Sequence, residues 1–282
     1  MLLDNAMTLM RSGDVRREWV GWLFQKYALG RSPARTVRDG VTIGSYCNFS
    51  EYLAVRDFVD DDEYGFLQTH DLGAGAVIDI GANLGVVSLI VAARDPERTI
   101  YAVEPNPHTF AALRSNVGLN GAKNVICEEC AIAEQSGVAR FNADPLWRAM
   151  ASLATADGPQ SCEVAALSLD DFVSTRGIRR IALLKVDVEG YETLVFRGGG
   201  RTLNDVRPAV IYFEVCPDLA TRAGFDPRDA ARVLLEHGYE FRGLGAAGAL
   251  SPARIEDIGL APLENWIAVP SDPPAETSRR TP

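Results

Sequence analysis

The 282-residue sequence is short of the residues that build metal sites and disulfide frameworks, with five cysteines and three histidines. An odd cysteine count does not close into pairs. The one suggestive spacing is Cys127 and Cys130 in "CEEC". It lies in a stretch that reads as a strand, where positions three apart face opposite ways. No second pair has zinc-ligand spacing and His70, His108 and His237 are far apart, so no zinc site is expected. Long apolar runs are also missing. The longest internal one, "VVSLIVAA" (86–93), falls far short of the ~20 residues that span a bilayer. The N-terminal "MLLDNAMTLMRSGD" lacks a basic n-region and is broken by Asp4 and Asn5, which does not read as a signal peptide. A cytoplasmic protein without membrane association is the expectation. Basic residues are in deficit, 28 against 38 acids, for a net charge of −10. That weighs against a broad phosphate-binding surface and a nucleic-acid partner, and leaves a small-molecule substrate.

What is present fits a globular protein, with 47% hydrophobic and 23% charged residues. The length allows one large domain with appendages. Residues 1–49 read as an N-terminal appendage, 50–270 as the main domain and 271–282 as a disordered tail. Residues 1–29 look helical, with Leu9, Val20, Leu23, Phe24 and Tyr27 near one stripe. Residues 34–58 read as short strands and turns, and the acidic "EYLAVRDFVDDDE" (51–63) as a solvated loop.

Strands then alternate with amphipathic helices: "AVIDI" (76–80), a helix over 83–94, "TIYAVE" (99–104), a helix over 108–120, and "NVICEECA" (124–131). The alternation breaks at "GVARFN" (137–142) and "CEVAALSLDDF" (162–172), both strand-like. The loop 143–160 between them, with Trp147, Met150 and Ser152, is a candidate lid. "IALLKVDV" (181–188), a broken helix (191–204), "PAVIYFEV" (208–215), a helix over 226–238 opened by Asp226 and Pro227, and two closing strands complete the pattern. Such alternation predicts an α/β fold with a mostly parallel sheet, helices on both faces and a β-strand insertion between the third and fourth strands. Ligands of these sheets bind at the carboxyl ends of the strands.

The first strand ends in "DIGANLG". Glycines at a strand-to-helix turn permit positive φ and close approach of a ligand. The middle glycine of a dinucleotide fingerprint is absent between Gly81 and Gly85, and Asp79 would repel a pyrophosphate. An acid there suits an ammonium, and Glu104, ending the second strand, suits the two hydroxyls of a ribose. An ammonium site and a ribose site with no phosphate site between them describe S-adenosylmethionine. "VIDIGANLGVVSL", "YAVEPNP", "LSLDDF" and "LLKVDVEGYE" occur in this order and spacing. Together they resemble the FkbM family of S-adenosylmethionine-dependent methyltransferases over roughly residues 50–240.

The resemblance implies the seven-stranded, Rossmann-like class I methyltransferase fold and O-methylation of a sugar or natural product. It carries the cofactor site to Asp79, Gly81, Ala82, Asn83, Gly85, Glu104, Asn106 and Ala131. It also places "KVDVEG" on the fourth strand, facing the sulfonium. Strand alternation then sets Lys185, Asp187 and Glu189 on one side, and Glu214 ends the neighbouring strand. Asp187, Glu189 and Glu214 are the candidate catalytic acids, with Asp187 foremost as a general base. Two uses remain open beside it. Asp187 and Glu214 form a candidate Mg²⁺ pair, a reading placed second to the metal-free base. Glu189 reads equally as the cap of the helix that starts near Tyr191. The rival functions are an N- or carboxyl-methyltransferase, and a dinucleotide-dependent oxidoreductase or noncatalytic nucleotide-binding module.

Overall fold

The computed structural model describes residues 19–24, 35–36, 40–58, 62–142 and 161–271. Most of the expected first helix, the 143–160 segment with Trp147, Met150 and Ser152, and the tail from 272 lie outside them. Residues 19–23 are helical. Val20 and Phe24 of the expected stripe are exposed there, and Trp22 is the residue turned inward, against Phe49. The antiparallel pair β1 (Arg35–Thr36) and β2 (Thr42–Ile43) follows. Two helices then occupy what reads in sequence as strands and a solvated loop: α1 (Phe49–Phe58) and α2 (Asp62–Thr69). Glu51 and Glu63 of that acidic run are buried. The run folds because Tyr64, Phe66 and Leu67 cover one face of the sheet, a tertiary gain that local charge does not reveal.

The alternating region runs β3 (Ala76–Ile80), α3 (Val86–Arg94), β4 (Ile100–Val103), α4 (Pro107–Asn120) and β5 (Val125–Glu128). Asn106 caps α4 through its side chain, Pro107 stands at the first position, and Gly121 closes the helix in the left-handed region. The predicted third strand breaks after Glu128. Its last residue, Ala131, instead starts β6 (Ala131–Ala133), which joins β7 (Gly137–Asn142) and β8 (Ser161–Ser168) in a separate three-stranded sheet. "LDDF" is a helix rather than a strand: Ser168 caps α5 (Leu169–Thr175) by accepting from Asp171 N. Arg176 then grips both oxygens of Glu128 at 2.7 and 2.8 Å, with its guanidinium 4.0 Å from the Phe172 ring centroid. The insertion is thereby tied to the end of β5.

Next come β9 (Ile181–Val186), α6 (Glu192–Arg197), a π-helical turn (Thr202–Val206), β10 (Val210–Val215), α7 (Pro217–Arg222) and α8 (Asp229–Glu236). The sequence gives no warning of α7, and α8 starts two residues beyond Pro227 because Asp226 accepts from Arg228 N in a turn. The chain closes with β11 (Tyr239–Gly245), β12 (Ala249–Ala253) and β13 (Glu264–Pro270).

The main sheet has the order β12-β11-β13-β10-β9-β3-β4-β5. Strands β5, β4, β3, β9 and β10 are parallel, and β13 enters antiparallel between β10 and β11. This is the Rossmann-like methyltransferase arrangement, with eight strands where seven were expected; the eighth, β12, is a hairpin on the β11 edge. Val77, Leu183, Tyr212 and Ile267 face a core shared with Ile43, Phe66, Leu89 and Leu113. Ile78, Leu184, Val186 and Phe213 face the other, with Phe172, Phe196 and Leu234. Strand order reverses between β3 and β9, which places the ligand crevice at their carboxyl ends.

Helix α2 meets the turn before β12 backbone to backbone. A Cβ on Gly65 would lie 2.5 Å from the Ala247 carbonyl carbon, and one on Gly248, at φ +80°, would lie 2.2 Å from Phe66 N. Gly248→Ala should therefore lower unfolding free energy by at least about 2 kcal/mol, from left-handed strain and steric overlap together. Chemical denaturation checks this; a change below about 0.5 kcal/mol would disprove the close crossing.

Candidate active site

The β3–α3 turn owes its glycines to the chain itself. Gly81 (φ +78°) and Ala82 both donate to Val103 O, at 3.0 and 2.9 Å. A Cβ on Gly81 would sit 1.8 Å from the carbonyl oxygen of Asp187, on the adjoining strand end. Asp187 N donates in return to Ile80 O at 3.1 Å. Asn83 is left-handed at φ +51°, and Gly85, at φ +84°, starts α3, where a Cβ would meet Leu113 at 2.5 Å. Ala82 is buried. The close approach expected of a ligand is thus already made, at Gly81 and Gly85, by protein atoms.

Asp79 has no solvent exposure. Ser88 Oγ donates to its Oδ2 at 2.6 Å, and the Lys185 ammonium stands 3.7 Å from its Oδ1, an ion pair too long for a hydrogen bond. Glu104 accepts from Asn83 N at 3.0 Å and from Asn106 N at 2.9 Å, one bond per oxygen. Burial pushes its carboxyl up to about 7 against those two bonds, with help from Asp79 and Asp187. Asn106 Oδ1 accepts from His108 N and Thr109 N, while its buried Nδ2, like Asn83 Oδ1, has no hydrogen-bond partner among the described residues. Ala131 is buried in β6, at the start of the small sheet.

Beside this loop the acids gather around Lys185. Its buried ammonium donates to Asp187 Oδ2 at 3.0 Å. Burial alone would lower the lysine pKa, but Asp187, Asp79 and Glu63 outweigh it and the net shift is upward. Asp187 keeps 32% of its side chain exposed, against 5% for Lys185, so it is the reachable end of the pair. Strand β9 stops at Val186, however, so strand alternation does not extend to Glu189. That residue stands in the following turn at φ +57°, where Gly190 (φ +97°) presses on the backbone of Leu219. Glu189 and Glu214 are both partly buried, and desolvation raises each pKa well above the usual carboxylate range. The charges of Asp187 and Glu192 raise both further, and Glu189 adds to the shift of Glu214.

Glu192 is a site acid that sequence reasoning missed. Glu192 ties down the turn ahead of the helix: its Oε1 accepts from Val188 N at 3.0 Å and Gly190 N at 3.2 Å, and no side chain caps the helix at Tyr191. Burial lifts its pKa to about 7. An acid in the first turn after a glycine was the available signal. Among the described residues, no group of three or more His, Cys, Asp or Glu is disposed to hold a metal.

A family model described as the methyltransferase FkbM domain matches residues 79–241, from Asp79 into β11. The chain belongs to the FkbM methyltransferase family. That assigns the matched residues to a methyltransferase family rather than to an oxidoreductase one. The 31-O-demethyl-FK506 methyltransferase FkbM of Streptomyces tacrolimicus is 30% identical over 154 residues, 43% of this chain and 58% of that protein. The chain thus spans under two thirds of that relative's length. The hexuronic acid methyltransferase AglP of Haloferax volcanii is 27% identical over 232 residues, 82% of this chain and 90% of that one. Among solved structures, the methyltransferase FkbM from Methylobacillus flagellatus aligns at a TM-score of 0.45 and 13% identity, covering 77% of this chain and 53% of that one. No helix among the described residues is long and apolar enough to cross a membrane.

The raised carboxyls make a stability prediction. A carboxyl with a raised folded-state pKa holds its proton better folded than unfolded, so its stabilising effect is present at low pH and lost as pH rises through the folded value. Glu214→Gln removes one such charge. It should raise Tm by a few degrees at pH 8 (each kcal/mol being worth about 2–4 °C) and by much less at pH 5.5. An equal gain at both pH values, measured by differential scanning calorimetry, would show that Glu214 is not electrostatically strained.

Proposed function

We propose that the protein transfers the methyl group of S-adenosylmethionine to a hydroxyl of a small molecule, a sugar or a natural product. The observation that carries this is the junction of the β3–α3 loop with the acid cluster. The backbone of Asp187 is locked to Ile80 and Gly81, and its side chain reaches Asp79 through Lys185. One sheet edge thus joins the loop that would hold the cofactor to a reachable base. Two relatives' names support a hydroxyl acceptor, one a 31-O-demethyl-FK506 methyltransferase and the other a 2-O-methyltransferase.

The residues present fit the cofactor. Each oxygen of Glu104 has accepted a single N–H bond and retains a lone pair for a ribose hydroxyl. Asn83 Oδ1 and Asn106 Nδ2 offer an acceptor and a donor beside it that have no partner among the described residues. Gly81, Ala82, Asn83 and Gly85 form the loop, and Ala131 stands beside the adenine in the FkbM pattern. Asp79, enclosed by Ser88 and Lys185, contributes its charge through space rather than by direct contact. Bound there, the cofactor supplies an electrophilic methyl group on a sulfonium, and the surrounding carboxylates suit that positive charge.

The chain's own work is to hold the acceptor hydroxyl and take its proton. Lys185 fixes one oxygen of Asp187, orienting the exposed carboxylate toward the crevice. Asp187 would accept the hydroxyl proton, without a metal, as the acceptor oxygen takes the methyl group, the methyl–sulfur bond breaks and S-adenosylhomocysteine leaves. Glu189 and Glu214, with their raised proton affinities, are the neighbouring groups to which it can pass. The catalytic domain in this reading is residues 50–270.

Asp187→Asn should cut methyl transfer to a hydroxyl acceptor by about 10²–10⁴-fold while leaving S-adenosylhomocysteine affinity, by calorimetry, within about threefold. Full activity in that variant would remove the base. Dialysis against EDTA should leave the rate within about twofold; a tenfold loss restored by Mg²⁺ would recast Asp187 and Glu214 as metal ligands.

A further inference from the structure

A cavity of about 300 Å³ opens at the carboxyl edge of the sheet, lined in part by Asp62, Leu244, Leu263, Glu264 and Asn265. Its place follows from strand register. Asn265 is the direct antiparallel partner of Glu214. Opposed residues of such a pair project from the same face, with Cβ atoms about 4.5–5.5 Å apart. Asn265 therefore flanks the acid cluster. On the next strand Gly243 pairs with Trp266, so alternation sets Leu244 abreast of Asn265 on that same face. Asp62 closes the cavity from the start of α2, its Oδ1 accepting from Ala247 N at 3.2 Å. The following residue, Glu63, is close enough to act on Lys185. The cavity and the acids are thus neighbours on one sheet face.

Size and lining state what the cavity can take. The volume is at the lower end of the ~300–1,000 Å³ usual for small-molecule sites, room for one ring rather than a macrocycle. Glu264 is fully engaged in the protein. It accepts from Gly259 N, Leu260 N, Ala261 N and Trp266 Nε1, holding the turn before β13. Asp62 and Asn265 are left to meet a ligand's hydroxyls, one as an acceptor and one as donor and acceptor. Leu244 and the half-exposed Leu263 supply the apolar surface that a ring's C–H face needs. Among the described residues no lysine, arginine or histidine lines the cavity, whereas two carboxylates do and Glu214 stands just beyond.

Resting on the methyltransferase reading above, we propose that this cavity is the acceptor subsite. It takes one uncharged hydroxylated ring, a neutral pyranose or a cyclic polyol. It discriminates against the same ring bearing a carboxylate, because an added anion would meet Asp62 and Glu264 with no lining cation among the described residues to offset them. Asn265 and Leu263 are specificity-determining residues here, not part of the base or the cofactor loop.

The test uses the full chain with S-adenosylmethionine and matched acceptor pairs: methyl glucoside, galactoside and mannoside, each beside its 6-carboxylate, with S-adenosylhomocysteine release as the readout. At least one neutral glycoside should turn over, with its uronate partner at least tenfold lower in kcat/KM. Asn265→Ala should raise the acceptor KM at least fivefold with unchanged S-adenosylhomocysteine affinity and unchanged Tm. Leu263→Arg, at an exposed position, should narrow the neutral-to-uronate ratio at least threefold by adding a cation to the rim. Uronates used as well as their neutral partners, or variants that leave both KM and ratio unmoved, would overturn the subsite. So would turnover of none of the six sugars by protein that binds S-adenosylhomocysteine. Failure of the wild-type chain to bind that product would instead strike the methyltransferase reading on which the subsite rests.

Discussion

The ammonium of Lys185 is the interaction on which the rest of the site depends. It is enclosed in the sheet between Asp79 and Asp187, at 3.7 and 3.0 Å, with Glu63 close enough to add to its positive character. A buried charge survives only when paired, and removing one partner of such a group typically costs about 3–5 kcal/mol. Here one cation serves two carboxylates on adjacent strands, β3 and β9. The end of the strand that leads into the glycine turn and the end that bears the exposed acid are therefore held in mutual register by charge as well as by backbone hydrogen bonds.

Around that pair, conformational constraint and electrostatic tension reinforce each other. Gly81 admits the Asp187 carbonyl, and Gly190 admits the backbone of α7, so the 187–190 turn is clamped on both sides. The clamp brings Glu189 and Glu192 into one small region with Glu214. Glu189, Glu192 and Glu214 there, and Glu104 beside them, have proton affinities raised first by desolvation and then by neighbouring carboxylates, Asp187 acting on all four. Such raised groups mark sites where folding tolerates a local cost for the sake of chemistry.

Much of this was legible in the sequence because its signals are local. The apolar run of β3, the glycines after it, the Asn106-Pro107 start of α4 and the acid at the end of β10 each carry their meaning in a few adjacent residues. The shared edge of β3 and β9 followed from the family pattern. What stayed hidden depended on distant partners. The acidic stretch around Glu63 looked solvated because its apolar residues, Phe66 and Leu67, find their cover on a sheet that forms later in the chain. Glu189 and Glu192 are both acids near a helix start; only the left-handed turn at Glu189 decides which of them reaches back to Val188 and Gly190. The β12 hairpin carries Pro252 and small residues, a composition that argues against a strand unless, as here, it lies at a sheet edge.

The crossing of Gly65 with Ala247 and Gly248 ties together two segments about 180 residues apart in the chain. One begins with Asp62 at the cavity, and the other joins β11 to β12. Neither backbone can carry a larger residue at the contact without displacing the other. An engineer exchanging acceptor preference between members of this family would therefore have to transplant the two segments as a unit. Swapping either one alone would leave a mismatched joint where the pocket wall should be.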